Sequence, residues 1–437
     1  MKYDISKSTA PVMPKLGKGT ECFKLLLSQV SKDMQEPLVP MLFPILGARV
    51  SEAVFQYPDN DVKEICGMMA NLVAESGGNK GQLSKLVEAI CRDFHQHDDE
   101  ELDKINEWAK TVKTKSSNST KPARPEVAIW FPPSDMTNAA FIQNAMMCEK
   151  NGRHTQYLNM PEVEMANSIC GGHKKVTEMI RNIYDREKAG ALRATADGIT
   201  GKPTLRVNLT LSSTPYAARN FYRNDLLNGT FGRIVFSYKA RTERVGRIPR
   251  IGRFDDDFYE KLDVYLNRLD NYKGHHIIPP LNKLIDKLAE DMALIGDLTD
   301  DDVLFEVSHR ALVSAWKAGC IMWMLNNQTW TKSMGNLVEW LVYHDLWSKM
   351  QIFGDMLKSK EQYSLENKRQ VPQNMLDLLP DTFSEGQLQT VRSSMGKNPE
   401  GTKSQLRKWV FRKFTIFSEE TKLYTKTEYY LKTHNPQ

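Results

Sequence analysis

The sequence has no closely spaced cysteine pair and no long hydrophobic run, and these absences exclude several classes of protein. Its 437 residues include six cysteines, none of them in a Cys-x-x-Cys pair. This spacing argues against a zinc site or a disulfide framework and favours reduced thiols in a cytoplasmic protein. No apolar run reaches the roughly 18 residues of a transmembrane helix, so we expect no membrane partner.

A signal peptide, tandem repeats and a strong net charge are lacking too. Residues 1–7 are polar and contain no apolar segment of the kind that a signal peptide needs. The net charge is only +5, but residues 401–437 contain eight Lys and Arg against three Asp and Glu, an excess of five positive charges. The length suffices for roughly two to four domains.

Residues 65–90 combine a buried-strand pattern, a glycine-rich turn and a helix pattern. A strand, a glycine-rich turn with a lysine and a helix form the P-loop arrangement. Glycines allow backbone N–H groups to converge on a phosphate, and the lysine reaches the terminal phosphates. We therefore predict that ATP is bound by Ser76, Gly77, Gly78, Asn79, Lys80, Gly81 and Gln82.

This turn departs from the P-loop pattern at three positions. With Lys80 aligned, Ala74 and Asn79 stand where the pattern has glycines, and Gly81 stands where Ser or Thr would bind magnesium. The phosphate cradle is kept, but the usual Mg²⁺ ligand is missing, and no metal ligand is assigned. The alternative is an ordinary strand-to-helix turn with an exposed lysine.

A second strand pattern ends close to a glutamate. P-loop ATPases often end such a strand in Asp-Glu, where the aspartate holds magnesium through water and the glutamate polarises the attacking water. Here Pro161 replaces the aspartate and Glu162 is kept, so Glu162 is the predicted catalytic carboxylate. Asn159 or Glu164 would substitute for the aspartate. The alternative role for Glu162 is that of a surface carboxylate.

Further polar residues follow two later strand patterns. Residues 204–211 alternate as a strand does and lead into Ser212, Ser213 and Thr214, of which Ser213 and Thr214 are the predicted γ-phosphate sensors. Arg233 precedes another apolar strand, and we predict that it reaches a nucleotide on a neighbouring subunit as an arginine finger. The basic residues that follow form either a loop facing a phosphate backbone or a solvated linker; they are Arg241, Arg244, Arg247, Arg250 and Arg253.

Three segments around this core carry simpler patterns. Residues 95–102 mix histidines with carboxylates, which indicates either a metal site or a solvated helix. Residues 110–125 have the composition of a flexible loop, and a strand pattern resumes at residues 127–131. Residues 255–370 are helical in pattern and rich in Trp, Met and Leu, which predicts buried helix packing in a lid or an oligomer contact.

Residues 375–437 have a different pattern. A helix, a turn, a basic helix and a hairpin follow one another, which is the order of elements in a winged helix. We predict that the basic helix contacts DNA phosphates through Lys403, Arg407, Lys408, Arg412 and Lys413. The alternative is a winged helix that contacts protein.

Several of these blocks together resemble a known family. The blocks are Ala-Glu-Ser-Gly-Gly-Asn-Lys-Gly-Gln-Leu at 74–83, Pro-Pro-Ser-Asp-Met-Thr at 132–137, Tyr-Leu-Asn-Met-Pro-Glu-Val-Glu at 157–164, Leu-Ser-Ser-Thr-Pro at 211–215 and Asn-Gly-Thr-Phe-Gly-Arg at 228–233. Over residues 38–350 the chain resembles a poorly characterised bacterial family of P-loop proteins from mobile genetic elements. That family is similar to virulence-associated E-like, plasmid replicative-helicase and primase-associated ATPases.

The resemblance implies an oligomeric RecA- or AAA-like ATPase that acts in the replication of a mobile element, with a primase or another replication protein as partner. It implies that Lys80 binds phosphate, Glu162 is catalytic, Ser213 or Thr214 is the sensor and Arg233 is the finger. Asn79, Gly81 and Pro161 depart from the family pattern, and they bear on hydrolysis more than on binding.

We thus predict an α/β protein with a P-loop NTPase core, an all-α lid and a C-terminal winged helix. The predicted segments are 1–60 (helices packing on the core), 61–254 (core), 255–370 (helical) and 375–437 (winged helix). The predicted function is that of a DNA-associated, helicase-like or initiator-like ATPase. The alternative is a nucleotide- or DNA-binding adaptor that does not hydrolyse ATP.

Overall fold

The chain divides into two compact units, Met1–Leu357 and Lys358–Gln437. The structure, a computed structural model, describes residues 9–114, 120, 122–152, 155–166, 176–188, 190, 200–223, 226, 229–240, 249–299, 302–367, 375–376, 378–394 and 399–434. Arg241, Arg244, Arg247 and part of the predicted loop, residues 115–119 and 121, lie outside the described residues.

The first unit contains helices and two sheets. Its strands are β1 (Glu52–Gln56), β2 (Val62–Glu64), β3 (Met69–Val73), β4 (Gln156–Met160), β5 (Val207–Ser213), β6 (Val235–Tyr238) and β7 (Lys273–His276). The helices that begin in this unit are α1 (Glu21–Leu27), α2 (Lys32–Gly47), α3 (Gly81–Ile90), α4 (Arg92–Thr114), α5 (Asn138–Lys150), α6 (Val176–Asp185), α7 (Pro215–Tyr222), α8 (Asp256–Asp270), α9 (Pro279–Thr299), α10 (Asp302–Leu325) and α11 (Lys332–Asn367). Two short 3-10 turns, Val163–Met165 and Phe231–Arg233, precede α6 and β6 respectively.

The larger sheet is parallel throughout, in the order β4-β5-β3-β6. Every residue of β3 and β5 is buried, as expected for strands covered on both faces. The predicted α/β class with a parallel sheet is therefore confirmed. Because all four strands run the same way, their carboxyl ends lie at one edge of the sheet.

The N-terminal helices pack against this sheet. Helix α2 contains Pro37, Pro40 and Pro44, and a proline has no N–H for the helix ladder. Side chains of the sheet bind nearby carbonyls: Asn208 Nδ2 donates to Pro44 O over 3.1 Å, and Ser237 Oγ donates to Pro37 O over 2.7 Å. Polar residues inside the sheet thus anchor a proline-rich helix on its surface.

The smaller sheet has the order β2-β1-β7. The sequence patterns did not predict β7. β7 pairs in parallel with β1, and its sequence, Lys-Gly-His-His, is mostly exposed and has no apolar alternation. A region predicted as almost entirely helical therefore also contributes an edge strand.

Residues 127–131 are not a strand, contrary to the pattern. The backbone of Ile129 is held by the amide of Asn144, which accepts from its N–H at 2.9 Å and donates to its carbonyl at 2.8 Å. The Asp98 carboxylate accepts from the N–H groups of Trp130 and Phe131, at 2.8 and 2.6 Å. Side chains therefore bind backbone groups that a neighbouring strand would otherwise bind.

Those contacts also decide the role of the acidic segment at residues 95–102. Asp98 is buried, whereas Asp99 beside it is exposed. The ring of His97 stacks on Trp130 with 3.6 Å between centroids. The segment is a largely exposed helix, as the solvated-helix alternative predicts, except that its one buried carboxylate, Asp98, fixes the following backbone.

The long helices α8–α11 bury many large side chains, as the Trp-, Met- and Leu-rich pattern predicts. Trp316, Trp340 and Trp347 are among the largest fully buried side chains. They belong to one hydrophobic core or to its border with the sheet; for example, Trp347 packs against Tyr238 with 5.8 Å between ring centroids. Up to Leu357, the described part of these helices shares one hydrophobic core with the sheet.

The second unit has its own small core. Strands β8 (Thr382–Phe383), β10 (Tyr424–Lys426) and β9 (Thr415–Phe417) form an antiparallel sheet in that order. Its helices are α12 (Glu385–Ser394), α13 (Thr402–Phe411) and α14 (Glu428–His434), with a 3-10 turn at Pro399–Gly401. The second strand of the hairpin ends at Lys426, because Thr427 Oγ1 accepts from Tyr430 N and the last helix begins there.

We expect Asp98→Ala to lower the free energy of unfolding by about 1–3 kcal/mol, because two partly buried N–H groups lose their acceptor. Denaturant titration would measure this. Asp99→Ala is the matched control and should change stability by no more than about 0.5 kcal/mol. Equal effects of the two substitutions would contradict the assigned role of Asp98.

Candidate functional site at the carboxyl edge of the parallel sheet

The segments that follow β3, β4, β5 and β6 meet at the carboxyl edge of the larger sheet. Val73 pairs with Ser213 on one side and with Tyr238 on the other. Met160 pairs with Leu211 in the next strand. Ligands of open parallel sheets bind at this edge, so the topology brings distant predicted residues to one place.

The turn between β3 and α3, residues 74–80, is called the glycine turn below. Gly77 and Asn79 have positive φ, +76° and +63°, a conformation that Gly adopts freely and Asn tolerates. A Cβ at Gly78 would lie 2.8 Å from Glu75 O, whereas a Cβ at Gly77 or Gly81 would meet nothing within 4 Å. The turn therefore has no room for a side chain at Gly78, whereas side chains at Gly77 and Gly81 would project into open space.

Lys80 lies at the point where this turn becomes helix α3. Its backbone is already helical, and its side chain is half-buried. Burial lowers the pKa of Lys80, and the carboxylates of Glu162, Glu164 and Glu75 partly oppose this. Lys80 has no ion-pair partner within 4 Å among the described residues. The ammonium group therefore faces a set of carboxylates without being tied to one.

Glu162 follows β4, is exposed, and precedes the 3-10 turn Val163–Met165. Glu164 is exposed within that turn, whereas Asn159 is engaged, since its Oδ1 accepts from Thr210 Oγ1 at 3.0 Å. The predicted catalytic carboxylate and Lys80 are thus brought into electrostatic range. Glu164, one of the two predicted substitutes for the missing aspartate, is also within electrostatic range of Lys80.

Both predicted sensors lie beside the glycine turn, but each already has a partner. Ser213 Oγ donates to Asn71 Oδ1 at 3.0 Å, and the carbonyl of Ser213 accepts from Ala74 N at 3.1 Å. Thr214 Oγ1 accepts from Ala217 N at 3.2 Å and caps α7. Ser212 is buried in β5.

Gln82, the last residue of the predicted nucleotide site, points to the N-terminal segment. Its Oε1 accepts from Ser31 N and its Nε2 donates to Ser31 Oγ, both at 2.8 Å. Its backbone N–H donates to Asn79 O at 3.1 Å. The side chain of Gln82 therefore connects α3 to the start of α2.

Lys239 is a residue of this edge that the sequence analysis did not select. It follows β6 and is 7% exposed, and its Nζ donates to Gly78 O at 3.3 Å and to Asp33 Oδ2 at 2.5 Å. Burial raises the pKa of Asp33, but hydrogen bonds from Lys239 and Ser31 outweigh it, so the pKa is lowered. One buried cation thus connects the glycine turn to α2.

Arg233 lies away from this site. It precedes β6, so it is at the amino edge of the sheet, and it is bound by Asp185 at 2.6 Å and by Gly229 O at 2.8 Å. Within one chain it does not join Lys80 and Glu162. Its predicted role toward a neighbouring subunit stays a prediction.

The predicted DNA-binding residues are on or just after α13 in the second unit. Lys403, Arg407, Lys408, Arg412 and Lys413 are all exposed. None of them has a carboxylate partner within 4 Å in the described part of the chain. Phe411, on the same helix, is 88% exposed. In the first unit, Arg250 and Arg253 are exposed as well.

Comparisons with known proteins add no further constraint. No family model matches the chain, and no curated protein matches it. In the described ranges, no helix is long and apolar enough to cross a membrane. Over those ranges, no three His, Cys, Asp or Glu side chains are grouped so that they could hold a metal ion. The geometry therefore carries the functional argument.

We expect Lys239→Met to speed amide hydrogen exchange in residues 75–80 and to lower the free energy of unfolding by about 1–3 kcal/mol, because Gly78 O and Asp33 lose a charged donor. Hydrogen-exchange mass spectrometry measures the first effect. Lys85→Met, on the exposed face of α3, is the control. Unchanged exchange in residues 75–80 would show that Lys239 does not hold the turn.

Proposed function

We propose that this protein is a DNA-associated P-loop ATPase, helicase-like or initiator-like, that acts in the replication or mobilisation of a mobile genetic element. The observation that carries the proposal is the position of Lys80, at the start of α3 and within electrostatic range of Glu162. P-loop NTPases use a lysine at such a turn and a residue that orients the attacking water.

Each group has a defined task in this proposal. Backbone N–H groups of the glycine turn bind the phosphates, and Lys80 neutralises their charge. Glu162 orients the attacking water and accepts its proton. The hydroxyl of Ser213, in β5, would have to leave Asn71 to contact the terminal phosphate.

The residues at the site fit a magnesium ion that arrives with the nucleotide. Mg²⁺ keeps several waters and is bound by one or two carboxylates together with substrate phosphates. Glu164 offers such a carboxylate, although Gly81 has no hydroxyl to add. When bound, the ion would neutralise charge on the phosphates.

The second unit supports a role at DNA. Helix α12, a turn, helix α13 and the pair β9–β10 follow one another as in a winged helix. Lys403, Arg407 and Phe411 recur at a spacing of four residues, so they share one face of α13. A cationic face with an exposed aromatic ring suits phosphate contacts and base stacking. A homo-oligomer and a primase partner remain part of the proposal.

A second candidate function is that of an adaptor that binds nucleotide without hydrolysing it. Gly81 opens into empty space where a hydroxyl would contact the metal, and Pro161 stands where the aspartate would be. This candidate keeps Lys80 as a phosphate ligand but gives Glu162 no catalytic task. The two functions therefore differ in their dependence on Glu162.

We expect the wild-type protein to hydrolyse ATP, and Lys80→Ala and Glu162→Gln each to reduce kcat by at least about 100-fold, as loss of a charged transition-state contact does. Steady-state phosphate release, with and without single-stranded DNA, measures this. Lys85→Ala is the control on α3. Nucleotide binding without turnover in the wild type would favour the adaptor, and absence of both would refute the P-loop assignment.

We expect the double substitution Lys403→Ala and Arg407→Ala to weaken DNA binding and to reduce the slope of log K against log salt by roughly two, because two phosphate contacts are lost. Fluorescence anisotropy at several salt concentrations measures the slope. Lys104→Ala together with Lys110→Ala, on the exposed part of α4, is the charge-matched control. An equal loss in the control would show that the binding is not located on α13.

A further inference from the structure

A cavity lies at the amino edge of the parallel sheet, opposite the edge that carries Lys80. Its volume is about 560 Å³, within the range of roughly 300–1,000 Å³ that is typical of ligand pockets. The charged residues of its lining include four basic and two acidic ones: Lys63, Arg186, Arg310, Lys317, Asp61 and Asp185.

This cavity is distinct from the candidate nucleotide site. Lys317 Nζ donates to the carbonyl of Cys66, which precedes β3, and the lining residues Gly229 and Gly232 precede β6. The glycine turn follows the other end of β3. The five residues of that strand separate the two edges by about 16 Å.

Both acidic groups of the lining are already paired. Asp61 binds Lys63 at 2.6 Å, and Asp185 binds Arg233 at 2.6 Å. Arg186 lies 3.8 Å from Glu64, which itself binds Arg206. Over the described residues, this leaves Arg310 and Lys317 as cations of the cavity without a carboxylate within 4 Å.

The positive charge of Lys317 is unfavourable because the side chain is buried. Its side chain is 4% exposed, and an ammonium group has three donors, of which the carbonyl of Cys66 takes one. Burial lowers the pKa of Lys317 to about 8, and Arg186 and Lys63 lower it as well, whereas Cys66 and Glu64 partly oppose this. Arg310, Arg233 and Lys317 also lie 5.5 to 5.7 Å from the ring centroid of Tyr184.

The C-terminal end of α6, which lines the cavity, offsets part of this positive charge, because a helix C-terminus is partly negative. We propose that the cavity binds a phosphorylated small molecule of about nucleotide size, held by Arg310 and Lys317. A guanidinium group binds phosphate oxygens in a bidentate manner, and the ammonium group adds a point charge.

The test uses the full-length protein with Lys80→Ala, which removes the phosphate contact of the first site. Isothermal titration calorimetry with inorganic pyrophosphate and, separately, with a nucleoside diphosphate reports on the remaining site. We expect saturable binding of at least one probe. Arg310→Gln or Lys317→Met, added to this background, should weaken that binding by about tenfold or more, as loss of a charge-assisted contact does. Lys85→Gln is the control and should leave it unchanged.

The two probes separate the sources of the phosphate. Equal binding of both would indicate free pyrophosphate or phosphate, and preference for the nucleoside diphosphate would indicate a nucleotide. Binding of neither probe, or equal weakening by Lys85→Gln, would overturn the proposal. Arg310 is only half-buried, so Arg310→Gln decides the outcome if Lys317→Met lowers the melting temperature. Loss of ATP turnover in Lys80→Ala tests the first site separately.

Discussion

The parallel pairing of β3 with β5 on one side and β6 on the other is the constraint on which the rest of the structure depends. The register sets Val73 level with Ser213 and Tyr238, so the segments after three strands begin at the same height. Backbone hydrogen bonds within the sheet therefore place the strand ends from which Lys80 and Glu162 follow. The glycine turn, which Lys239 contacts at Gly78 O, sets the remaining distance between them.

Local patterns predicted local structure well. The glycine turn and α3 follow from small residues and from apolar side chains at helical spacing, and the Trp-rich helices follow from the same periodicity. Contacts between distant segments were not predictable in this way. Strand β7 has no apolar alternation and exists because β1 offers it a backbone partner. Residues 127–131 have a strand pattern, but Asp98 and Asn144 occupy their backbone groups.

At the candidate site too, local patterns were predictable and contacts between distant segments were not. Lys80, Glu162 and Ser213 were found because each follows a strand pattern and has a side chain suited to phosphate chemistry. Lys239 was missed, since its partners Gly78 and Asp33 lie far away in the sequence, and a lysine after a strand carries no signal of burial. Arg233 has a suitable position in the sequence, but the direction of β6 places it at the opposite edge.

The three prolines of α2 have a consequence for how the chain acquires its structure. A helix that lacks three N–H donors has little stability of its own, because an interior proline costs about 3 kcal/mol. Helix α2 therefore depends on tertiary contacts: most of its residues are buried, and Asn208 and Ser237 of the sheet donate to two of its carbonyls. Since Ser31 binds Gln82 and Asp33 binds Lys239, the N-terminal segment and the glycine turn form one cooperative folding unit. The shape of the glycine turn therefore depends on the docked segment around Ser31 and Asp33.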